Sequence, residues 1–168
     1  MLKIVKFIDR LNEIVGRITS ILAFVLLFVV VFEVIMRKVF DSPTMWGFEF
    51  SYMVYAVMFL LGFGYTLKHK MHIGIDVLYS NLSPKTQGIL DIITFIVFFL
   101  PFTLVAIKSS FIFALQSWQG LEHSQSPWGP PIYPFKAFMP IAFVLLFLQG
   151  ISELIKSYYQ KIKGREIE

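Results

Sequence analysis

Four stretches of the chain, centred near residues 27, 58, 99 and 144, run almost free of charge for about the thickness of a bilayer, which takes roughly 20 apolar residues to cross. Ile18 to Met36 holds one charge, Glu33, and Ile21 to Phe32 has no polar residue at all. Phe50 to Leu67 is uncharged throughout. Ile92 to Ile107 and Ala137 to Ser152 are shorter, but Lys108 and Lys136 flank them, and a lysine stem lies along lipid while its ammonium reaches the interface. No other segment is large enough for a soluble domain. The chain reads as an all-α integral membrane protein with four transmembrane helices and one membrane domain over 1–168. The expected spans are about 18–38, 47–68, 86–110 and 135–157, with an inner loop at 69–85 and an outer loop at 111–134.

A content of 57% hydrophobic and 17% aromatic residues exceeds what 168 residues can hide in one soluble core. The absence of cysteine excludes disulfides and thiolate metal sites and leaves the redox compartment open. A net charge of +4 belongs, in such a protein, to cytoplasmic loops rather than to a nucleic acid partner. The first apolar run continues into Glu33-Val-Ile-Met-Arg37 without a small-residue cleavage site, so helix 1 is expected to be retained.

Placing the N-terminus in the cytoplasm puts Lys3, Lys6, Arg10, Arg17, Lys68, Lys70, Lys85, Lys156, Lys161, Lys163 and Arg165 inside and leaves Arg37, Lys38, Lys108 and Lys136 outside. That asymmetry predicts both termini cytoplasmic. Trp46, Trp118 and Trp128 then fall on the outer side, where an interfacial aromatic belt is expected.

From Leu2 to Ile18, apolar residues recur at Ile4, Ile8, Leu11, Val15 and Ile18 with charges between them, a helical period that predicts an amphipathic N-terminal helix on the inner surface. Ser83-Pro84 has the form of a cap followed by a first-turn proline and starts helix 3. Run to Trp118, that helix is roughly 50 Å long and must tilt or project. Pro101 lies inside it and predicts a kink. No repeat divides the four spans into matching halves, which argues against a self-sufficient transporter built on inverted repeats.

Charges within spans are costly, and Glu33 and Arg37 sit one turn apart on one helix face with Glu49 at a similar depth, so an ionic cluster joining helices or subunits is expected. Asp91 and Glu153 fall near the inner interface and are expected to be solvated. His69, His72 and His123 lie in loops rather than facing each other within spans, which speaks against haem. His69, His72 and Asp76 have ligand-like spacing in a basic loop where an ordinary surface role is favoured, so no metal or other cofactor is assigned. No nucleophile with a base, phosphate loop or paired catalytic carboxylates is present, so no enzyme activity is expected.

The order of residues carries a further signal. Glu33-Val-Ile-Met-Arg37-Lys-Val-Phe40, Pro43, then Trp46-Gly-Phe-Glu49-Phe-Ser, resembles the helix 1 to helix 2 corner of the small membrane subunit of TRAP transporters, the DctQ-like family. Lys70-Met-His72-Ile-Gly-Ile-Asp76-Val-Leu78 is similar to that family's inner loop, and Ser126-Pro127-Trp128 through Tyr133-Pro134, with Pro140 and Leu146-Phe-Leu-Gln149, to its outer loop and helix 4. The resemblance implies a tripartite importer in a bacterial cytoplasmic membrane. An extracytoplasmic binding protein captures an organic acid such as a dicarboxylate or sialic acid, and a large membrane subunit moves it with a sodium gradient. The small subunit serves as scaffold and helps receive the binding protein. Glu33, Arg37, Trp46, Glu49 and Asp76 then maintain the fold or subunit contact, and Trp128, Pro130, Pro131 and Tyr133 form a polyproline-like docking ledge. Competing readings are a stand-alone four-helix channel or small exporter, motivated by Glu33 within a span, and a membrane anchor for an unrelated complex.

Overall fold

A computed structural model describes residues 2–71, 79 and 81–164. Four helices dominate it: α1 (Leu2–Lys38), α2 (Gly47–Lys68), α3 (Pro84–Gln119) and α4 (Tyr133–Ile162). All four are long and apolar enough to cross a membrane. A helix is the form a single segment must take in lipid, because it satisfies its backbone donors and acceptors internally. Both described ends of the chain lie at one end of the bundle, called here the terminal end. The α1–α2 and α3–α4 connections lie at the other, the loop end, together with all three tryptophans.

The helices pack in the order α1, α2, α4, α3, with α4 also touching α1. Phe143 marks the central position of α4, with its ring 6.2 Å from Phe63 of α2 and 6.4 Å from Phe102 of α3. Lipid is as apolar as leucine, so helices in a membrane are held together by close packing and by hydrogen bonds rather than by the hydrophobic effect. The interior fits that rule. Its buried residues include Thr103, Ser110, Ala114 and Ser117 on α3 and Ala142, Gln149, Gly150 and Ser152 on α4, while Phe24, Phe28, Phe98, Phe102 and Val105 point outward. Thr103 and Ser110 return their hydroxyls to Phe99 and Ile107 carbonyls of their own helix, which lets polar side chains line a tight interface.

α1 is one continuous helix of 37 residues, about 55 Å long, so the expected amphipathic N-terminal helix is the first part of α1 itself rather than a segment laid along the inner surface before it. In its first half the outer side mixes apolar residues with the exposed charges Lys3, Lys6, Arg10 and Arg17. Ile4, Phe7, Ile14 and Ile18 are exposed, whereas Asn12 and Thr19 are buried alongside Val5 and Ile8 against the other helices. α3 starts as expected, with the Ser83 hydroxyl accepting from the Thr86 backbone and Pro84 in the first turn, and continues past residue 110 to Gln119. Between its α-helical parts, Phe95–Phe99 widens into a π turn. Pro101 has no N–H for the carbonyl of Val97 and its ring crowds that carbonyl, so an extra residue in the preceding turn relieves the conflict.

Glycines set the closest helix contacts. A Cβ on Gly16 would come 2.2 Å from the Tyr65 ring, one on Gly150 would come 2.2 Å from Phe99, and one on Gly64 would come 2.0 Å from Asn12 Oδ1. Gly62, one residue pair away on the same helix, has open space beside it. Gly64→Ala is therefore expected to destabilise the chain by about 1–3 kcal/mol through overpacking, while Gly62→Ala is neutral or slightly stabilising. Unfolding curves of both variants in one detergent check this, and equal stability of the two would contradict the packing described.

Candidate functional site

Three polar assemblies hold the helices in register, and they account for most of the charged side chains with partners. The first lies at the terminal end between α1 and α4. Gln149, fully buried, accepts from Asn12 Nδ2 at 2.9 Å and donates to Asp9 Oδ1 at 2.9 Å and Glu153 at 3.1 Å. Ser152 donates to the same Asp9 oxygen at 2.8 Å, and Lys156 pairs with Asp9 at 2.8 Å and Glu153 at 2.7 Å. Asp9 and Glu153 thus share one ammonium. Glu13, one turn further along α1, receives Lys68 at 2.6 Å, His69 at 3.1 Å and Arg17 at 2.8 Å, which ties α1 to the end of α2.

The second assembly joins α3 to α4 at the same end. Asp91 accepts from Tyr79, Ser157 and Lys161, and the Lys161 ammonium also lies 4.8 Å from the centre of the Tyr79 ring. Asp91 and Glu153 are therefore networked rather than solvated, contrary to the expectation from their position near an interface. The reason is that α4 extends to Ile162 and carries Lys156 and Lys161 alongside them.

The third assembly is the loop end. Glu33 accepts from Arg37 at 2.9 Å, and its other carboxylate oxygen takes the backbone N–H and hydroxyl of Thr44. Thr44 Oγ1 in turn accepts from the Gly47 N–H, the first of α2, at 3.1 Å. A Cβ on Gly47 would lie 2.6 Å from both Glu33 Oε2 and Thr44 Oγ1, so any side chain there would displace the contacts of this corner. Trp46 closes it, stacked on Phe32 and edge-on to Phe50, each at 6.0 Å. Glu49 does not join Glu33 and Arg37. It accepts from Ser126 in the α3–α4 loop, 77 residues away, so the expected single cluster is two separate contacts.

That loop folds back on itself. Ser124 N–H donates to the Pro130 carbonyl and Ile132 N–H to the Glu122 carbonyl, pairing its two arms, while Gly129 turns the chain at φ +60 and donates to Ser126. Lys136 binds Glu122 and lies over the Phe113 ring, and the ammonium holds the Glu122 carboxyl below the usual carboxylate range. Of the four residues expected to form a ledge, Trp128 and Pro131 are exposed, Tyr133 is half-buried against Trp118 at 4.8 Å, and Pro130 is buried. The loop is a pinned hairpin-like cap rather than a free polyproline strand, because its backbone is paired across the two arms.

Among the sequence-derived site residues, Glu33, Arg37 and Trp46 come together at the α1–α2 corner, and Glu49 meets the loop carrying Trp128, Pro130, Pro131 and Tyr133. Asp76 and His72 lie outside the described residues. Sequence reasoning passed over Asp9, Asn12, Ser152 and Lys156; Gln149, a lone amide within the apolar run of α4, was the available signal. Among the described residues no group of three or more histidines and acids is placed to hold a metal ion.

Residues 26–158 match the family described as Tripartite ATP-independent periplasmic transporters, DctQ component. The chain belongs to the DctQ family. No individual curated protein matches it. DctQ components are small membrane subunits of TRAP transporters, so the chain is a transporter component rather than an enzyme. The match begins within α1 and ends within α4, and so contains the Glu33–Thr44–Gly47 corner, the Glu49–Ser126 contact and Gln149. It leaves out Asp9 and Asn12, the α1 side of the Gln149 junction.

Gln149→Leu keeps the volume but leaves Asn12 and Asp9 without their shared partner. A loss of about 1–2 kcal/mol is expected in detergent unfolding, the range of interhelical hydrogen bonds and unmet polar groups. Unchanged stability would show that the junction does not hold α1 to α4.

Proposed function

We propose that this DctQ subunit is the static scaffold of a sodium-driven importer of an organic acid such as a dicarboxylate or sialic acid. Its partners are a large membrane subunit that carries the solute and an extracytoplasmic binding protein. It sits in the bacterial cytoplasmic membrane with both termini inside and the loop end facing out. Eleven of its fifteen lysines and arginines then lie on the cytoplasmic side, and the tryptophans lie at the outer interface.

What supports this reading is how the polar groups between the helices are engaged. Asp9, Asn12, Gln149, Ser152 and Lys156 are engaged with one another across α1 and α4, and Glu33 with the α1–α2 corner. A solute pathway needs polar groups that can exchange partners with a passing ion or carboxylate, whereas these fix helices in place. A subunit built this way works beside a partner that has the pathway. Trp128 and Pro131, exposed on a loop anchored to α2 through Glu49, suit a rigid platform for the binding protein.

The test is a gentle-detergent pull-down of the chain from its native membrane. Stoichiometric recovery of one many-spanned membrane protein is expected. Recovery of the chain alone, with solute flux from the purified chain in liposomes, would establish a channel or exporter instead, and an unrelated copurifying enzyme would establish an anchor. In the reconstituted system, Trp128→Ala is expected to lower uptake at limiting binding protein by roughly tenfold, the scale of a lost aromatic anchor, while leaving copurification intact. Unchanged uptake would remove Trp128 from the docking surface.

A further inference from the structure

Between α1 and α2 at the loop end, a groove of about 480 Å³ opens to the surroundings, lined by apolar and aromatic side chains including Leu26, Val30 and Val34 on α1 and Phe48, Tyr52 and Tyr55 on α2. Along α2 these residues occupy the side opposite Met53, Val57 and Gly64, which are buried, so the groove faces outward from the bundle. Val30, Val34, Phe48, Tyr52 and Tyr55 are all exposed. The groove follows α1 from Leu26 to Lys38, about 18 Å at the helical rise.

Its charge sits at one end only. Arg37 and Lys38 line the groove just beyond the uncharged run Ile21 to Phe32, at the depth where a span leaves hydrocarbon for headgroups. Both oxygens of Glu33 are already engaged, one by Arg37 and the other by Thr44. The Arg37 side chain is 58% exposed, and Lys38 forms no salt bridge among the described residues. Two cations facing one occupied carboxylate leave a local positive excess above a long apolar trough.

We propose that one glycerophospholipid occupies this groove, its phosphate against Arg37 and Lys38 and one acyl chain along Leu26, Val30 and Val34 toward Tyr55. The shape and charge match that ligand: a single anionic group at interfacial depth, followed by an unbranched apolar tail in a slot open to lipid. An apolar helix laid in the trough would offer no anionic group to Arg37 and Lys38. The proposal rests on the groove and does not depend on the transport reading.

The experiment uses the full chain, alone and in its native membrane complex, exchanged into phosphatidylglycerol–detergent mixtures and examined by native mass spectrometry. One retained phosphatidylglycerol is expected on both. Val34→Trp, which fills the trough without touching the corner, is expected to abolish retention, and Lys38→Gln to lower it roughly fivefold. Diacylglycerol, which lacks the phosphate, is expected not to compete, and inorganic phosphate alone not to displace the lipid. Equal retention by Val34→Trp, equal competition by diacylglycerol, displacement by free phosphate, or loss of the lipid in the complex because a partner segment fills the groove would each overturn the proposal. Circular dichroism of Val34→Trp matching the parent ensures that lost retention reports the groove and not unfolding.

Discussion

Gln149 spends both ends of its amide on α1, and the arrangement of the other helices is organised around that pairing. In lipid no helix gains by hiding leucines from its surroundings, so something more specific must choose which faces meet. Here Gln149 joins α4 to Asn12 and Asp9, and Asn12 in turn presses on Gly64 of α2, where a side chain has no room. One residue thereby fixes the meeting of α1, α2 and α4 at the terminal end. α3 then leans on the remaining side of α4 through Gly150, Phe99 and its own stripe of threonine, serine and alanine.

The same logic explains why α1 is a single helix that turns Asp9, Asn12 and Thr19 toward its neighbours while Lys3, Lys6, Arg10 and Arg17 stay exposed. Hydrophobic periodicity marks two faces of Leu2 to Ile18 and says nothing about which is covered. In water the apolar face would be hidden. Here Lys156 and Gln149 of α4 offer partners to Asp9 and Asn12, while lipid or a partner subunit accepts Ile4, Phe7 and Ile14 at no cost. The continuity of α1 across the whole height of the molecule makes the terminal end and the loop end parts of one lever-like element, which suits a support more than a moving part.

What the sequence made legible and what it hid divide along physical lines. The four helices were readable because bilayer thickness imposes a length on apolar runs, and the Glu33–Arg37 pair because it lies one turn apart on one helix. The cap on α3 was equally local, with Ser83 and Pro84 adjacent. The partners of Glu49 and Gln149 were not readable, since Ser126 lies 77 positions from Glu49 and Asp9 lies 140 positions from Gln149, and such pairings follow from helix order that hydropathy does not encode. Pro130 differs from its sequence expectation for a related reason: proline-rich composition fits an extended ledge, but Pro130 is buried and its carbonyl is taken by Ser124 across the loop. The corner from Glu33 to Gly47 lies between, because its residues are close in sequence while Thr44, which bonds both, is an uncharged loop residue with no sequence signal of its own.

As the proposed scaffold, this subunit is expected to hold one shape while transport proceeds around it. Because the chain contains no cysteine, spin labels can be placed on Phe7→Cys in α1 and Phe102→Cys in α3, two exposed sites on the first and last members of the helix order. Pulsed electron spin measurements on the assembled, turning-over transporter would read that distance directly. A single narrow distribution, unchanged by sodium, solute and binding protein, is the predicted result. A second population that grows with turnover would show that the subunit is itself part of the moving machinery.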